Sequence, residues 1–196
     1  MVTLQCLRSV GDRSGRHVVS SFSRCFVLLL GLALAGCVTS KAPLLGADSR
    51  VLPFLPGTNF ETYERDDARA PWKKNAAHAT FTADRSLVVR ELDKAGKPKD
   101  AATYTFHPLS PGVFLVQARF KPDDPYAYGV LEVRNGEGVV TGLNCRSVDQ
   151  AAFRRDGGTI TNDFCELDAA PDPLALLRKI AASPGGPQAR YVPVAK

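Results

Sequence analysis

An Asn-Gly pair at residues 135 and 136 constrains the fold more than any other feature of the chain. Asn-Gly favours a type I′ turn, because both central residues of that turn need a positive φ. The flanking residues alternate between two faces, as they do in paired antiparallel strands. A two-residue loop sets the register, so we expect Arg134 to face Glu137 and Gly129 to face Gly142. Two facing glycines leave a gap in the layer of side chains, where the sheet bends or another group approaches closely.

Further period-two segments, separated by turn residues, precede this hairpin and favour an antiparallel meander. The predicted strands are 59–64, 78–83, 87–92, 102–107, 113–120 and 126–134. Polar or Pro/Gly-rich turns are expected at 65–74, 93–100 and 108–112.

Beyond Cys145 the pattern predicts helices. Ser147 and Gln150 match a capping box that opens a short helix, and residues 159–165 are expected to form an edge strand. Asp172 followed by Pro173 is typical of a helix start, and this amphipathic helix should end at Pro184-Gly185. A helix of about three turns is not stable alone in water, so it should cover the sheet.

The sequence therefore predicts an all-β fold: an antiparallel meander forming a small barrel or half-barrel, with a C-terminal α-helix. This arrangement is similar in outline to the lipocalins, and no binding residues follow from that similarity. A two-layer β-sandwich is the alternative, and an open sheet capped by the helix is a third possibility.

The N-terminus carries a different signal. Four arginines and one aspartate in residues 1–24 precede an apolar run from Phe26 to Ala35. Ten residues span about 15 Å as a helix, half of a hydrocarbon core about 30 Å thick, so the run is typical of a signal peptide. It ends in Leu34-Ala35-Gly36-Cys37, which resembles the lipobox of bacterial lipoproteins.

The resemblance implies that Cys37 is lipidated and that residues 1–36 are removed as a signal peptide. Because Val38 rather than an aspartate follows the cysteine, it also implies the outer membrane, with the periplasmic face favoured over the cell surface. Residues 37–50 are then expected to form the lipidated cysteine and a flexible tether, and residues 51–196 a single β-rich domain.

Two of the five cysteines, Cys145 and Cys165, remain after cleavage and lipidation. Export places them in an oxidising compartment, where such a pair forms a structural disulfide. The rival interpretation is a metal site, which is disfavoured because the chain has no CxxC and because His78 and His107 stand apart in the sequence.

The expected function is a non-catalytic binding or accessory role in the cell envelope. The mature chain would carry a net charge of only +2, which argues against nucleic acid as a partner. No catalytic motif is recognisable, no cofactor or metal is expected, and His107 is interpreted as a surface residue. The expected partners are the membrane, through the lipid, and an apolar small molecule or an envelope protein. Candidate ligand-binding residues are Gly129, Gly142, Tyr104, Phe106 and Phe114. The alternative is an envelope hydrolase or other enzyme with an unrecognised site.

Overall fold

The computed structural model describes residues 37–55, 58–65, 69–75, 77–92, 95–161, 164–184 and 189–194. The predicted signal peptide, including the lipobox residues Leu34, Ala35 and Gly36, lies outside these residues, and so does Gly185. None of the helices in the described ranges is long and apolar enough to cross a membrane.

Twelve strands and two α-helices form the described part of the chain. The strands are β1 Val38–Ser40, β2 Asn59–Glu64, β3 Lys73–Asn75, β4 Ala77–Phe81, β5 Leu87–Leu92, β6 Pro98–Ser110, β7 Val113–Arg119, β8 Tyr126–Arg134, β9 Glu137–Gly142, β10 Thr159–Thr161, β11 Phe164–Glu166 and β12 Ala189–Val194. The helices are α1 Gln150–Arg155 and α2 Pro173–Ala181, and short 3-10 turns lie at Ala47–Ser49 and Cys145–Ser147.

The main sheet curls into a half-barrel, which confirms the predicted fold class. Its strand order is β3-β2-β12-β9-β8-β7-β6-β5-β4, and β4 to β9 form the predicted antiparallel meander. The two strands at the ends of this order, β3 and β4, are separated in the chain only by residue 76, so the sheet has to curve. The predicted strands did not include β12, which lies between β2 and β9. They also did not include β3, which begins inside the predicted 65–74 turn and ends one residue beyond it.

The hairpin of β8 and β9 has the predicted turn and register. Asn135 has a φ of 53° and Gly136 a φ of 79°, as a type I′ turn requires. Arg134 pairs with Glu137, and Gly129 pairs with Gly142. Strand β6 differs from the prediction, because it continues through Pro108 to Ser110, with a register shift against β7 at that point.

Side chains are buried on both faces of the sheet, in two apolar clusters. The inner cluster fills the concave face and draws on strands around the whole curve, with Tyr104, Phe106, Leu131 and Tyr191 among its largest members. The outer cluster lies on the convex face of the central strands and includes Leu115, Tyr128, Val130, Leu143, Phe153, Leu167 and Leu177.

Helix α2 covers the outer cluster and begins where the sequence predicts. Asp172 is its N-cap, its carboxylate accepts a hydrogen bond from the amide of Ala175 at 2.9 Å, and Pro173 occupies the first turn. Helix α1 differs from the prediction. Its N-cap is Asp149 rather than Ser147, because Ser147 belongs to the preceding 3-10 turn and donates its hydroxyl to the carbonyl of Asn144.

The predicted disulfide between Cys145 and Cys165 is present, with Cα atoms 5.3 Å apart. It connects the 3-10 turn after β9 to β11, and both cysteines are fully buried in the outer cluster. The predicted single strand at 159–165 is instead two short strands, because β10 and β11 pair with each other in antiparallel fashion.

Residues 38–50 are packed against the sheet, which differs from the predicted flexible tether. Strand β1 pairs with β8 on one side and with β11 on the other, and Val38 and Ser40 are fully buried. Leu45 is also buried and adds to the outer cluster. Strand β1 pairs with Tyr126 and Ala127, the start of β8 that extends past β9, and the segment also covers apolar surface. The described fold therefore includes residues 37–50, which precede the predicted boundary at residue 51.

Candidate ligand-binding groove

The structure brings the predicted ligand-binding aromatic residues together in the inner cluster. Tyr104 and Phe106 are each 3% exposed, and Phe114 is partly buried against them. The Tyr104 ring lies edge-on to Phe120 with centroids 6.4 Å apart, and the Phe106 ring lies 6.3 Å from that of Phe81. Such contacts are typical of a filled core, so these residues support the fold. A pocket beside Gly129 and Gly142 stays a prediction.

The convex face carries a row of buried polar side chains that sequence reasoning did not identify as functional. We call Thr105, His107, Gln117 and Tyr128 the polar row; they lie on β6, β7 and β8. The alternating pattern of residues 102–107 places Thr103, Thr105 and His107 on the opposite face from Tyr104 and Phe106. The sequence pattern thus identifies a polar face of β6, but it does not show that another segment of the chain covers this face.

The polar row binds residues 40–50 by hydrogen bonds. The Tyr128 hydroxyl lies 2.6 Å from the hydroxyl of Ser40 and accepts from the Leu44 amide at 3.3 Å. Gln117 Oε1 accepts from the Leu45 amide at 3.1 Å. These contacts satisfy groups that would be costly to bury alone, and they fix the path of the segment across the sheet. Burial raises the pKa of the Tyr128 hydroxyl to about 12, so Tyr128 stays a neutral donor.

His107 is 2% exposed, so its interpretation as a surface residue is wrong. It is buried because residues 46–50 lie over the end of β6. Its Nδ1 lies 2.7 Å from Ser49 Oγ, and its Nε2 lies 3.0 Å from Thr105 Oγ1. Burial, and then the positive charge of Arg50, lowers the pKa of His107 to about 4. The imidazole is therefore neutral at pH 7 and connects Ser49 to the sheet.

The contact between Ser49 and His107 has the distance expected of a nucleophile and its general base. In such sites a carboxylate usually orients the imidazole and stabilises its charged form. Here the second ring nitrogen contacts the Thr105 hydroxyl instead, and a pKa of about 4 makes His107 a weak base at neutral pH. The arrangement thus favours holding the segment over catalysis.

A groove of about 600 Å³ lies beside this segment, and we call it the outer groove. One wall is residues 43–50, the opposite wall is the loop from Phe120 to Tyr126, and Thr103 and Thr105 of β6 lie between them. Its volume is in the range of small-molecule sites, about 300–1,000 Å³. The lining residues are Pro43, Leu45, Gly46, Ala47, Arg50, Asp84, Ser86, Ala101, Thr103, Thr105, Gln117, Arg119, Phe120, Lys121, Pro122 and Tyr126.

Among the described residues, four charged side chains line the outer groove. Arg50 Nη1 and Asp84 Oδ2 are 2.8 Å apart and form an ion pair at its edge. Hydrogen bonds from Thr82 and Ser86, and then the charge of Arg50, lower the pKa of Asp84. Arg119 and Lys121 add two positive charges, so the lining has an excess of positive charge.

No group of three or more His, Cys, Asp or Glu side chains in the described ranges is arranged to hold a metal ion. Of His78 only the backbone, in β4, belongs to the described part of the structure; its side chain does not. Comparisons with protein-family models, with curated proteins and with solved structures find no match to this chain. The case for a function therefore depends on the geometry of the molecule itself.

Proposed function

We propose that the protein is a lipid-anchored protein of the bacterial cell envelope that binds a ligand in the outer groove without covalent chemistry. The observation that carries the binding role is the groove itself, since its volume and mixed polar and apolar lining suit a small ligand. The inner face supports this choice of site, because the aromatic side chains there pack against one another.

The anchor is proposed at Cys37, on the basis of the lipobox. Strand β1 begins at Val38, so a lipid on Cys37 would hold the half-barrel at the membrane surface with almost no spacer. Cys37 is 4% exposed, and lipid attachment requires its side chain to rotate out of the inner cluster. Cleavage after Gly36 would make residue 37 a chain end, which permits that rotation. We place the protein at the periplasmic face of the outer membrane.

Acyl labelling of cells tests the anchor. Cys37→Ser should abolish incorporation of labelled palmitate and release the protein from membranes, because several acyl chains together give durable binding. Cys25→Ser is the matched control, since residue 25 would be removed with the signal peptide, and its labelling should remain. Undiminished labelling of Cys37→Ser contradicts the anchor.

Native purification from membranes, followed by mass spectrometry of co-purifying small molecules, tests the binding role. Thr103→Trp places a large ring between the walls of the groove and should remove a ligand that the wild type retains. Thr80→Trp is the matched control, because Thr80 is an exposed strand residue that does not line the groove. A ligand retained equally by both variants contradicts the site, and a wild type that retains none contradicts the binding role.

One observation favours a hydrolase as second candidate, namely the 2.7 Å contact between Ser49 and His107. A fluorophosphonate probe separates the two functions. If the protein is a hydrolase, the probe labels Ser49, and His107→Gln abolishes that labelling. The binding function predicts no labelling of Ser49 in either protein.

A further inference from the structure

We infer that the ligand of the outer groove is an organic anion whose phosphate group is bound by Arg119 and Lys121. The inference rests on the proposed function, because it takes the groove as the binding site and adds the chemical class of the ligand. It follows from three observations: the placement of Arg119, the ion pair that neutralises the lining carboxylate of Asp84, and the apolar surface beside both cations.

The guanidinium of Arg119 is held in place by its neighbours and keeps unused N–H donors. Its guanidinium stacks over the ring of Tyr126, 4.9 Å from the centroid. Two of its five N–H donors are used in long contacts of 3.4 Å, from Nε to the carbonyl of Asp124 and from Nη1 to the Tyr126 hydroxyl. In the described part of the chain, no carboxylate forms an ion pair with it. A fixed guanidinium with unused donors is suited to an oxyanion.

Lys121 and Thr103 extend the site on either side of Arg119. Thr103 pairs directly with Arg119 across β6 and β7, and its side chain is exposed in the groove. Lys121 follows two residues after Arg119, is exposed, and has no ion-pair partner among the described carboxylates. The site thus combines a planar guanidinium, a mobile ammonium and a hydroxyl, all of which bind phosphate oxygens.

The carboxylates near the groove do not cancel these charges. Among the side chains that the structure describes, Asp84 is the only carboxylate that lines it, and Arg50 compensates its charge at 2.8 Å. Asp123 and Asp124 lie in the loop beside Lys121, but neither lines the groove. Two positive charges therefore remain among the described lining residues. They can balance a phosphate group, either a singly charged diester or a monoester of about −1.5 to −2 at pH 7.

The volume and the remaining lining indicate that the anion has an organic part. About 600 Å³ is far more than a single phosphate group occupies. Apolar surface from Pro43, Leu45, Phe120 and Pro122 borders the cations. Two sources supply an organic phosphate in the envelope: a soluble metabolite and a phospholipid headgroup.

The test is a titration of the purified full-length protein in a non-ionic detergent. Calorimetry measures the affinity, and amide chemical shifts in NMR spectra locate the binding site. The probes are glycerol 3-phosphate, succinate, and mixed micelles carrying phosphatidylglycerol or, for comparison, phosphatidylcholine. If the ligand is a soluble metabolite, we expect glycerol 3-phosphate to shift the amide signals of Thr103, Arg119 and Lys121. If it is a lipid headgroup, we expect these shifts only with phosphatidylglycerol micelles.

We expect Arg119→Gln and Lys121→Gln each to weaken binding about tenfold, as loss of a charged hydrogen bond does. Arg178→Gln, on the exposed side of α2, should leave binding unchanged.

Four outcomes overturn the inference: equal binding of succinate, equal binding of phosphatidylcholine, unchanged affinity in the Arg119→Gln/Lys121→Gln double variant, or no binding of either phosphate probe. Failure of this inference can be distinguished from failure of the proposed function. If a neutral ligand co-purifies and is lost in Thr103→Trp, the groove is a binding site and only its assignment to phosphate is wrong.

Discussion

The concave face of the sheet is filled mainly by side chains of the strands that form it, whereas the convex face is covered by segments that precede and follow the meander. The inner cluster is almost entirely apolar and contains several aromatic contacts. The convex cover uses a disulfide, helix α2 and hydrogen bonds to the polar row. The curved strands bury most of the inner face themselves, but the outer face needs added segments, and one of those segments also lines the groove.

The largest expected effect is on the inner face. Phe106→Ala removes a ring that is 3% exposed and should lower the free energy of unfolding by about 3–5 kcal/mol, because the sheet cannot collapse around the cavity. Denaturant unfolding measures the loss. Thr80→Ala, at an exposed strand position, should change it by less than about 0.5 kcal/mol. A loss below about 1 kcal/mol for Phe106→Ala would show that the inner cluster is loosely packed.

Removing the disulfide should destabilise the segments that cover the convex face more than the strands of the sheet. In the wild type the disulfide closes a 20-residue loop and restricts the unfolded chain. The Cys145→Ala/Cys165→Ala variant lacks this restriction, so we expect its free energy of unfolding to be lower by about 3 kcal/mol. Hydrogen exchange should speed up first in β10, β11 and α2, while β5–β7 stay protected. Uniform loss of protection over both faces would contradict the view that the convex cover is a separate layer.

Acid should loosen the convex face through His107. The unfolded chain binds a proton near pH 6.5 but the folded protein only near pH 4, so protons favour the unfolded state between these values. Stability should therefore fall by up to about 3 kcal/mol as the pH drops from about 6.5 to about 4. His107→Gln keeps hydrogen-bonding groups without this titration and should flatten that part of the stability profile. An NMR titration that gives His107 its ordinary pKa would contradict the burial argument.

The smallest expected effect concerns the end of one covering element. Asp172→Ala removes the N-cap of α2 and should cost about 1 kcal/mol, as such caps usually do. Asp123→Ala, in an exposed loop, is the control and should have almost no effect. Equal losses in the two variants would show that the cap does not stabilise α2.

Local features of the fold and the covalent crosslink were predictable from the sequence. Asn135-Gly136 determined both a turn and a register, because few residues tolerate two successive positive φ values. Alternation identified Tyr104 and Phe106 as one face of β6, and Asp172-Pro173 identified the start of α2. Each of these depends on neighbouring residues only. The pairing of Cys145 with Cys165 followed from their being the only cysteines left after the predicted cleavage and lipidation.

The candidate site was not predictable in this way, because it is assembled from distant segments. Whether Thr105, His107 and Gln117 face water or protein depends on residues 40–50 crossing over them, a contact between positions more than 50 residues apart. Likewise, β12 is inserted between β2 and β9 by long-range pairing, and its own six residues do not specify those neighbours. Period and turn chemistry act over a few residues, so the sequence by itself determined the meander. The cover of the convex face, and the groove beside it, were decided only by the tertiary structure, through which buried polar groups found their partners.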